Sequence, residues 1–157
     1  MTELGIWAFS GCTSLTGIAF PQSLKTVGQE VFMECTSLSE ISWGGVKTVE
    51  EYAFRGCTGL TELTVPSGMK SISDRAFDGC TGLAFVSWNS ADCVIVPVTE
   101  DSYSGIFSSA SLQRVTFPAG VVPSYIFVNT DVEELVLDGV TEIEAYAFAH
   151  TRLTDCL

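Results

Sequence analysis

A phenylalanine returns about every 22 residues along the whole chain, and that period decides what the chain can fold into. Phe9, Phe32, Phe54, Phe77, Phe107, Phe127 and Phe148 are separated by 23, 22, 23, 30, 20 and 21 residues. Each follows a small or aliphatic residue (Ala8, Val31, Ala53, Ala76, Ile106, Ile126, Ala147). Most also have an apolar residue five positions upstream (Leu4, Val27, Val49, Ile72, Val122, Ile143), and only the fourth interval breaks this, at Ser102. A second apolar set follows each ring with the spacing L-x-x-I-x-F, as in Leu15, Ile18 and Phe20 or Leu60, Leu63 and Val65. Its alternation predicts one short strand per repeat with one face buried. Pro21, Pro66 and Pro118, or Gly44, Asn89 and Asp138, close these strands and turn the chain back.

A unit this small cannot cover its own apolar face, so it must stack on its neighbours. Like strands then pair in parallel about 4.8 Å apart, and the Phe rings line up as an interior spine. Large and small side chains alternate at the last strand position (Phe20, Trp43, Val65, Trp88, Phe117, Leu137), the compensation that closely spaced, densely packed layers require. Trp43 and Trp88 are therefore read as core. The reading is a single solenoid over residues 1–157, with about six full repeats, partial ends and a longer repeat around 89–105.

The unit "AFxGCTxLxxIxxPxxxxxV", as in residues 53–72, resembles the leucine-rich repeats of BspA-like proteins, found in bacterial surface proteins and some protists. The resemblance covers nearly the whole chain. It implies a right-handed coil with one short parallel strand per repeat and turns or short helical segments opposite. It also implies a non-catalytic protein-interaction or adhesion role, at the cell surface or in secreted form. The last three units depart from the pattern, replacing Cys-Thr-x-Leu by "SASL", "TDV" and "TRL", each one residue shorter between Phe and the next aliphatic.

Charge narrows the partners. With 7 Lys plus Arg against 19 Asp plus Glu, a net charge of −12 repels phosphate backbones and anionic lipid, so no nucleic acid is expected. No apolar run reaches the ~20 residues of a membrane span, and the opening "MTELGIWAF" lacks the basic start and apolar middle of a signal peptide. Cys12, Cys35, Cys57 and Cys80 each lie three residues after a repeat Phe, which places them in one column. A column of single thiols has no converging ligand set for a metal, so it reads as buried free thiols at a tight turn. Disulfides between rungs are the alternative reading, one that parallel side chains disfavour. Cys93 and Cys156 stand outside the column, and Cys156 falls in the strand slot of Ile18 and Leu63. His150, the single histidine, takes the turn slot of Gly11, Gly56 and Gly79, and no nucleophile–base constellation surrounds it. No enzyme activity, cofactor or metal is expected.

Binding has two candidates. The outward column between the buried strand residues reads Gly17, Glu40, Glu62, Phe85, Arg114, Glu134, Asp155. A solvent-facing Phe beside Arg among acids suits a partner-binding patch of Phe85 and Arg114 flanked by Glu40, Glu62 and Glu134. The competing reading is Arg114 stacked on Phe85 and paired with a neighbouring Glu. The second candidate is the long interval "NSADCVIVPVTEDSYSG", whose "CVIVPV" reads as a packed strand and whose "TEDSYSG" reads as the protruding part, with Tyr103 as a contact. The chain starts and stops within coils, so a fragment of a longer array, or end-to-end self-association through bare edges, is also expected. A protein partner or a self-assembling spacer role are thus the two functional readings.

Overall fold

The computed structural model describes residues 2–96, 105–153 and 155–156. With strands numbered in chain order, the segment after each Phe builds one column. It contains β1 (Gly17–Ala19), β3 (Glu40–Ser42), β5 (Glu62–Val65), β7 (Phe85–Trp88), β9 (Ser111–Phe117), β11 (Asp131–Leu137) and β13 (Asp155–Cys156). All pairings are parallel, β1 with β3 and then a five-stranded run from β5 to β13. The inward residues of β5 and β7 (Leu63, Val65, Val86, Trp88) are buried, as the alternation predicts. Between β3 and β5 the ladder is interrupted, and Trp43 Nε1 spans the break by donating to Thr64 O at 2.8 Å.

A second column forms from the apolar slot upstream of each ring, where the residue spacing carries no strand signal. It holds β2 (Thr26–Val27), β4 (Thr48–Val49), β6 (Ser71–Ser73) and β8 (Val94–Val96) in one sheet, with β10 (Gly120–Val122) and β12 (Val140–Ile143) in another. No described residue is helical, so turns and this second column stand where the resemblance implied turns or short helices. In the long repeat, Ile95 pairs with Ile72 and fills the slot that spacing assigned to Ser102. The "CVIVPV" stretch is thus a strand at Val94–Val96, although Val94 and Val96 are themselves exposed.

The Phe turn is a third hydrogen-bonded ladder. Phe32 N donates to Ala53 O at 2.8 Å, Phe54 N to Ala76 O at 2.9 Å, and Phe77 N to Ile106 O at 3.0 Å. Two residues before and two after each ring the backbone is left-handed: Trp7, Glu30, Tyr52, Arg75, Gly105, Tyr125 and Tyr146 on one side, Gly11, Glu34, Gly56, Gly79, Ser109, Asn129 and His150 on the other. Left-handed backbone costs a non-glycine residue about 1–2 kcal/mol. Here it aims alternate amides at the next coil, as in Glu34 N to Arg55 O at 2.7 Å and Gly56 N to Asp78 O at 2.8 Å.

Inside this frame the rings stack continuously. Centroids are 5.2 Å apart for Phe9–Phe32, 5.3 Å for Phe32–Phe54, 5.2 Å for Phe54–Phe77, 5.8 Å for Phe77–Phe107, 5.6 Å for Phe107–Phe127 and 5.2 Å for Phe127–Phe148. Phe32, Phe54, Phe77, Phe107 and Phe127 are fully buried. Trp43 and Trp88 are core, with Phe54 meeting Trp43 edge-on at 5.8 Å.

The cysteine column packs against this spine as free thiols: Cys35, Cys57 and Cys80 are buried, and Cys12, in the first coil, is exposed. Each of the three buried thiols donates to the Phe carbonyl of the preceding coil, Cys35 to Phe9 O at 3.0 Å, Cys57 to Phe32 O and Cys80 to Phe54 O at 3.2 Å. Thr130 Oγ1 makes the same bond to Phe107 O at 3.4 Å. In the shortened repeats the strands start sooner after the turn, and β9 and β11 grow to 7 residues from the 3 or 4 of β1 to β7 in this column.

Candidate functional site

Strand register decides which outward side chains meet. Pairing places Glu62 beside Phe85, Phe85 beside Arg114, Arg114 beside Glu134 and Glu134 beside Asp155, so four of the six residues singled out in the sequence share one row across the five-stranded sheet. Glu40 pairs instead with Gly17 on the separate β1–β3 sheet. Tyr103 lies outside the described residues.

The row has an apolar centre between charges. Phe85 is 47% exposed, although its strand neighbours Val86 and Trp88 are buried. Arg114 turns toward the acidic side, with Nε 3.5 Å from Glu134 Oε2. Among the described residues, the guanidinium that sits over a ring is Arg55 over Tyr52, not Arg114 over Phe85. Phe85 thus meets solvent with its charged flanks on either side. Beside it the small residues Thr64, Ser87 and Thr116 leave a shallow hollow of about 100 Å³ bordered by Glu62, Phe85 and Arg114. Thr116 Oγ1 is 3.4 Å from Val86 O, which ties the floor of that hollow to the sheet. Such a surface offers an apolar contact, a fork of guanidinium donors and carboxylate acceptors within one strand row.

The buried thiols Cys57, Cys80 and Cys93 differ from this surface in being chemically quiet. Burial raises the Cys80 thiol from 9.0 to about 12 and does the same for Cys93, beside which Lys70 acts weakly in the opposite sense. Cys57 is raised further by burial and by the neighbouring thiols Cys80 and Cys35. Thiols held protonated in this way make poor nucleophiles.

A second exposed feature went unread in the sequence: the outer corner formed by the left-handed residue two before each ring. Trp7 Nε1 donates to Glu30 Oε2 at 2.6 Å, Arg75 Nη1 to Tyr52 Oη at 2.8 Å, and Tyr125 stacks on Tyr146 at 5.2 Å with planes 9° apart. Tyr125, Val128, Tyr146, Ala149 and His150 line a groove of about 290 Å³ there. His150 is exposed in the left-handed turn slot it shares with Gly56 and Gly79. The signal that could have found this corner is the aromatic two places before Phe at residues 7, 52, 125 and 146.

The sequence model of the BspA type leucine rich repeat region matches residues 1–95 and 84–156, in 6 copies. The crystal structure of the T. pallidum leucine rich repeat protein TpLRR superposes with a TM-score of 0.70 at 24% identity, over 90% of this chain and 66% of that one. A leucine-rich repeat protein from Bacteroides ovatus aligns at 20% identity and a TM-score of 0.37, over 90% of this chain and 48% of that one. The chain therefore spans no more than about two thirds of either structure. No curated protein matches it.

Proposed function

Because this chain belongs to the BspA-type leucine-rich repeat family, we propose that it is a non-catalytic module that binds a protein partner through the sheet row centred on Phe85 and Arg114. The observation that carries this reading is Phe85 itself. A ring left 47% exposed in the middle of a sheet, between a carboxylate and a guanidinium, contributes less to the core than its buried neighbours Val86 and Trp88 and has the composition of an interface anchor. Glu62 and Glu134 frame it and would select a partner whose facing surface is basic around an apolar contact. Glu40 extends the acidic edge on the neighbouring sheet, and the long repeat with Tyr103 is the second place where a partner would touch. The family's adhesion role and surface or secreted location are part of the same proposal.

The test is capture of a partner from a host or neighbouring-cell extract by wild-type protein and by the double variant Phe85→Ala/Arg114→Ala. Interface anchors of this kind each cost about 2 kcal/mol or more on truncation, so captured material should fall at least tenfold. Unchanged capture by a folded double variant contradicts the patch. Particle mass that grows with concentration, without any capture, would favour a self-assembling spacer instead.

A further inference from the structure

We propose that the column formed by Lys25, Lys47 and Lys70 binds a short acidic segment of a protein partner, at a site separate from the Phe85 row. These are the three lysines of the chain, and each falls seven residues before a repeat Phe (Phe32, Phe54, Phe77). Bonds between coils stack them, with Lys47 N donating to Lys25 O at 2.9 Å and Lys70 N to Lys47 O at 2.8 Å. Leu24, Val46 and Met69 before them and Val27, Val49 and Ile72 after them are buried. The lysines are thereby left exposed, with half-buried Thr26, Thr48 and Ser71 beside them in register. In a chain with 19 acids and 7 bases, lysines spread over the surface would each meet a carboxylate; stacked ~4.8 Å apart they repel one another instead.

The fold offsets that repulsion only at the two ends of the column. Lys70 Nζ donates to Asp92 Oδ2 at 3.1 Å, and Lys25 Nζ to Gln22 O at 2.7 Å. Lys47, between them, has no hydrogen-bond or ion-pair partner among the described residues. One flank of the column is bare, because Gly45 and Gly68 stand two residues before Lys47 and Lys70. A Cβ on Gly68 would have nothing within 4 Å, and one on Gly45 would meet Lys25 Nζ at 2.9 Å, so a ligand backbone can lie against the ammonium groups there. On the other flank Ser71 Oγ donates to Thr48 Oγ1 at 3.2 Å, which leaves the Thr48 hydroxyl proton for an outside acceptor. Length selects the occupant. The next coil places Cys93 in the lysine slot and Asp92 against Lys70, while Glu3 and Glu50 border the hollow beside Thr26 at the other end. The cationic stripe thus spans two strand spacings, ~10 Å, and two carboxylates on alternate residues of an extended peptide, ~7 Å apart, fit within it. A long polyanion would run off the stripe onto the surface of a chain with net charge −12.

The probe is a capped Gly-Glu-Gly-Glu-Gly-Glu peptide, titrated at low salt into the full chain while its amide signals are followed, with a Gln peptide as the neutral isostere. The Glu peptide should shift the amides of Lys47, Thr48 and Ser71, and the Gln peptide should not. Lys47→Gln should weaken binding about threefold to fivefold, whereas Lys47→Arg, which keeps the charge, should bind as wild type does. The triple variant Lys25→Gln/Lys47→Gln/Lys70→Gln should lose the shifts altogether; all three side chains are exposed, so it keeps the fold. Equal binding by Lys47→Gln, by the triple variant or by the Gln peptide would overturn the proposal, as would shifts confined to residues around Arg114. Tighter binding of a sulfated oligosaccharide than of the Glu peptide would overturn the assignment to a peptide. Particle mass that grows with concentration in wild type but not in the triple variant would overturn it too, by making a second copy of the chain the occupant. The Phe85→Ala/Arg114→Ala variant should bind the peptide as wild type does, so the two sites fail independently.

Discussion

Phe54 is enclosed by Phe32 and Phe77 on its two faces and by the edge of Trp43. Phe54→Ala should therefore lower stability by about 3–5 kcal/mol, read from denaturant midpoints. A loss under about 1 kcal/mol would mean that the ring is not packed this way. The thiols give a pH prediction. Burial raises Cys80 from 9.0 to about 12 and raises Cys57 strongly, so the unfolded chain gives up these protons before the folded one does. The stability they contribute is full below pH 9.0 and falls as pH rises toward about 12. Each such thiol should cost up to about tenfold in the folding equilibrium per pH unit within that window. Urea melts at about pH 8 and about pH 10.5 should show this drop, reduced in Cys80→Ala; no drop would contradict the burial of the column. The core residues were legible because burial and period coincide at Phe, Leu and Trp. The left-handed Tyr52, Tyr125 and Tyr146 were not, since bulky side chains avoid positive φ; here each Tyr carbonyl closes its own turn, accepting from Arg55 N, Val128 N and Ala149 N.

At the scale of the element, close stacking sets which turns tolerate a side chain. A Cβ on Gly82 would lie 2.2 Å from Thr58 O and 3.2 Å from Leu60 O, where the turns of adjacent coils pass each other. Gly82→Ala should destabilise by about 1–3 kcal/mol. Gly68 has nothing within 4 Å, and Gly68→Ala should be neutral or stabilising by up to about 1 kcal/mol. Thermal unfolding of the two variants side by side checks the contrast, and equal effects would contradict the coil contact. The strand after each Phe was readable because its alternation runs long enough to show a period. The second column was not: Thr26–Val27 and Thr48–Val49 are 2 residues each and carry no period. They are strands because stacking brings them into register, a tertiary cause that local pattern cannot express.

For the whole molecule, stability is carried from coil to coil, since most bonds and ring contacts join a unit to its neighbour. Weakening one rung should loosen a contiguous block, so Phe54→Ala should speed amide exchange first at Phe32, Phe54 and Gly56, whose amides bond across adjacent coils. The binding row was legible as a column of outward positions, and register then joined Glu62 to Glu134 while leaving Glu40 on the other sheet. That split follows from the break at Trp43, which no residue count reveals. Everything proposed about the outer faces depends on the coils stacking in sequence order around the ring spine. Ring-to-ring proton contacts in protein with selectively labelled Phe test this most directly. Strong contacts are predicted for Phe32–Phe54 and Phe54–Phe77, whose centroids lie 5.3 and 5.2 Å apart, and none for Phe32–Phe77. Missing neighbour contacts, or contacts that skip a coil, would contradict the solenoid and both surfaces built on it.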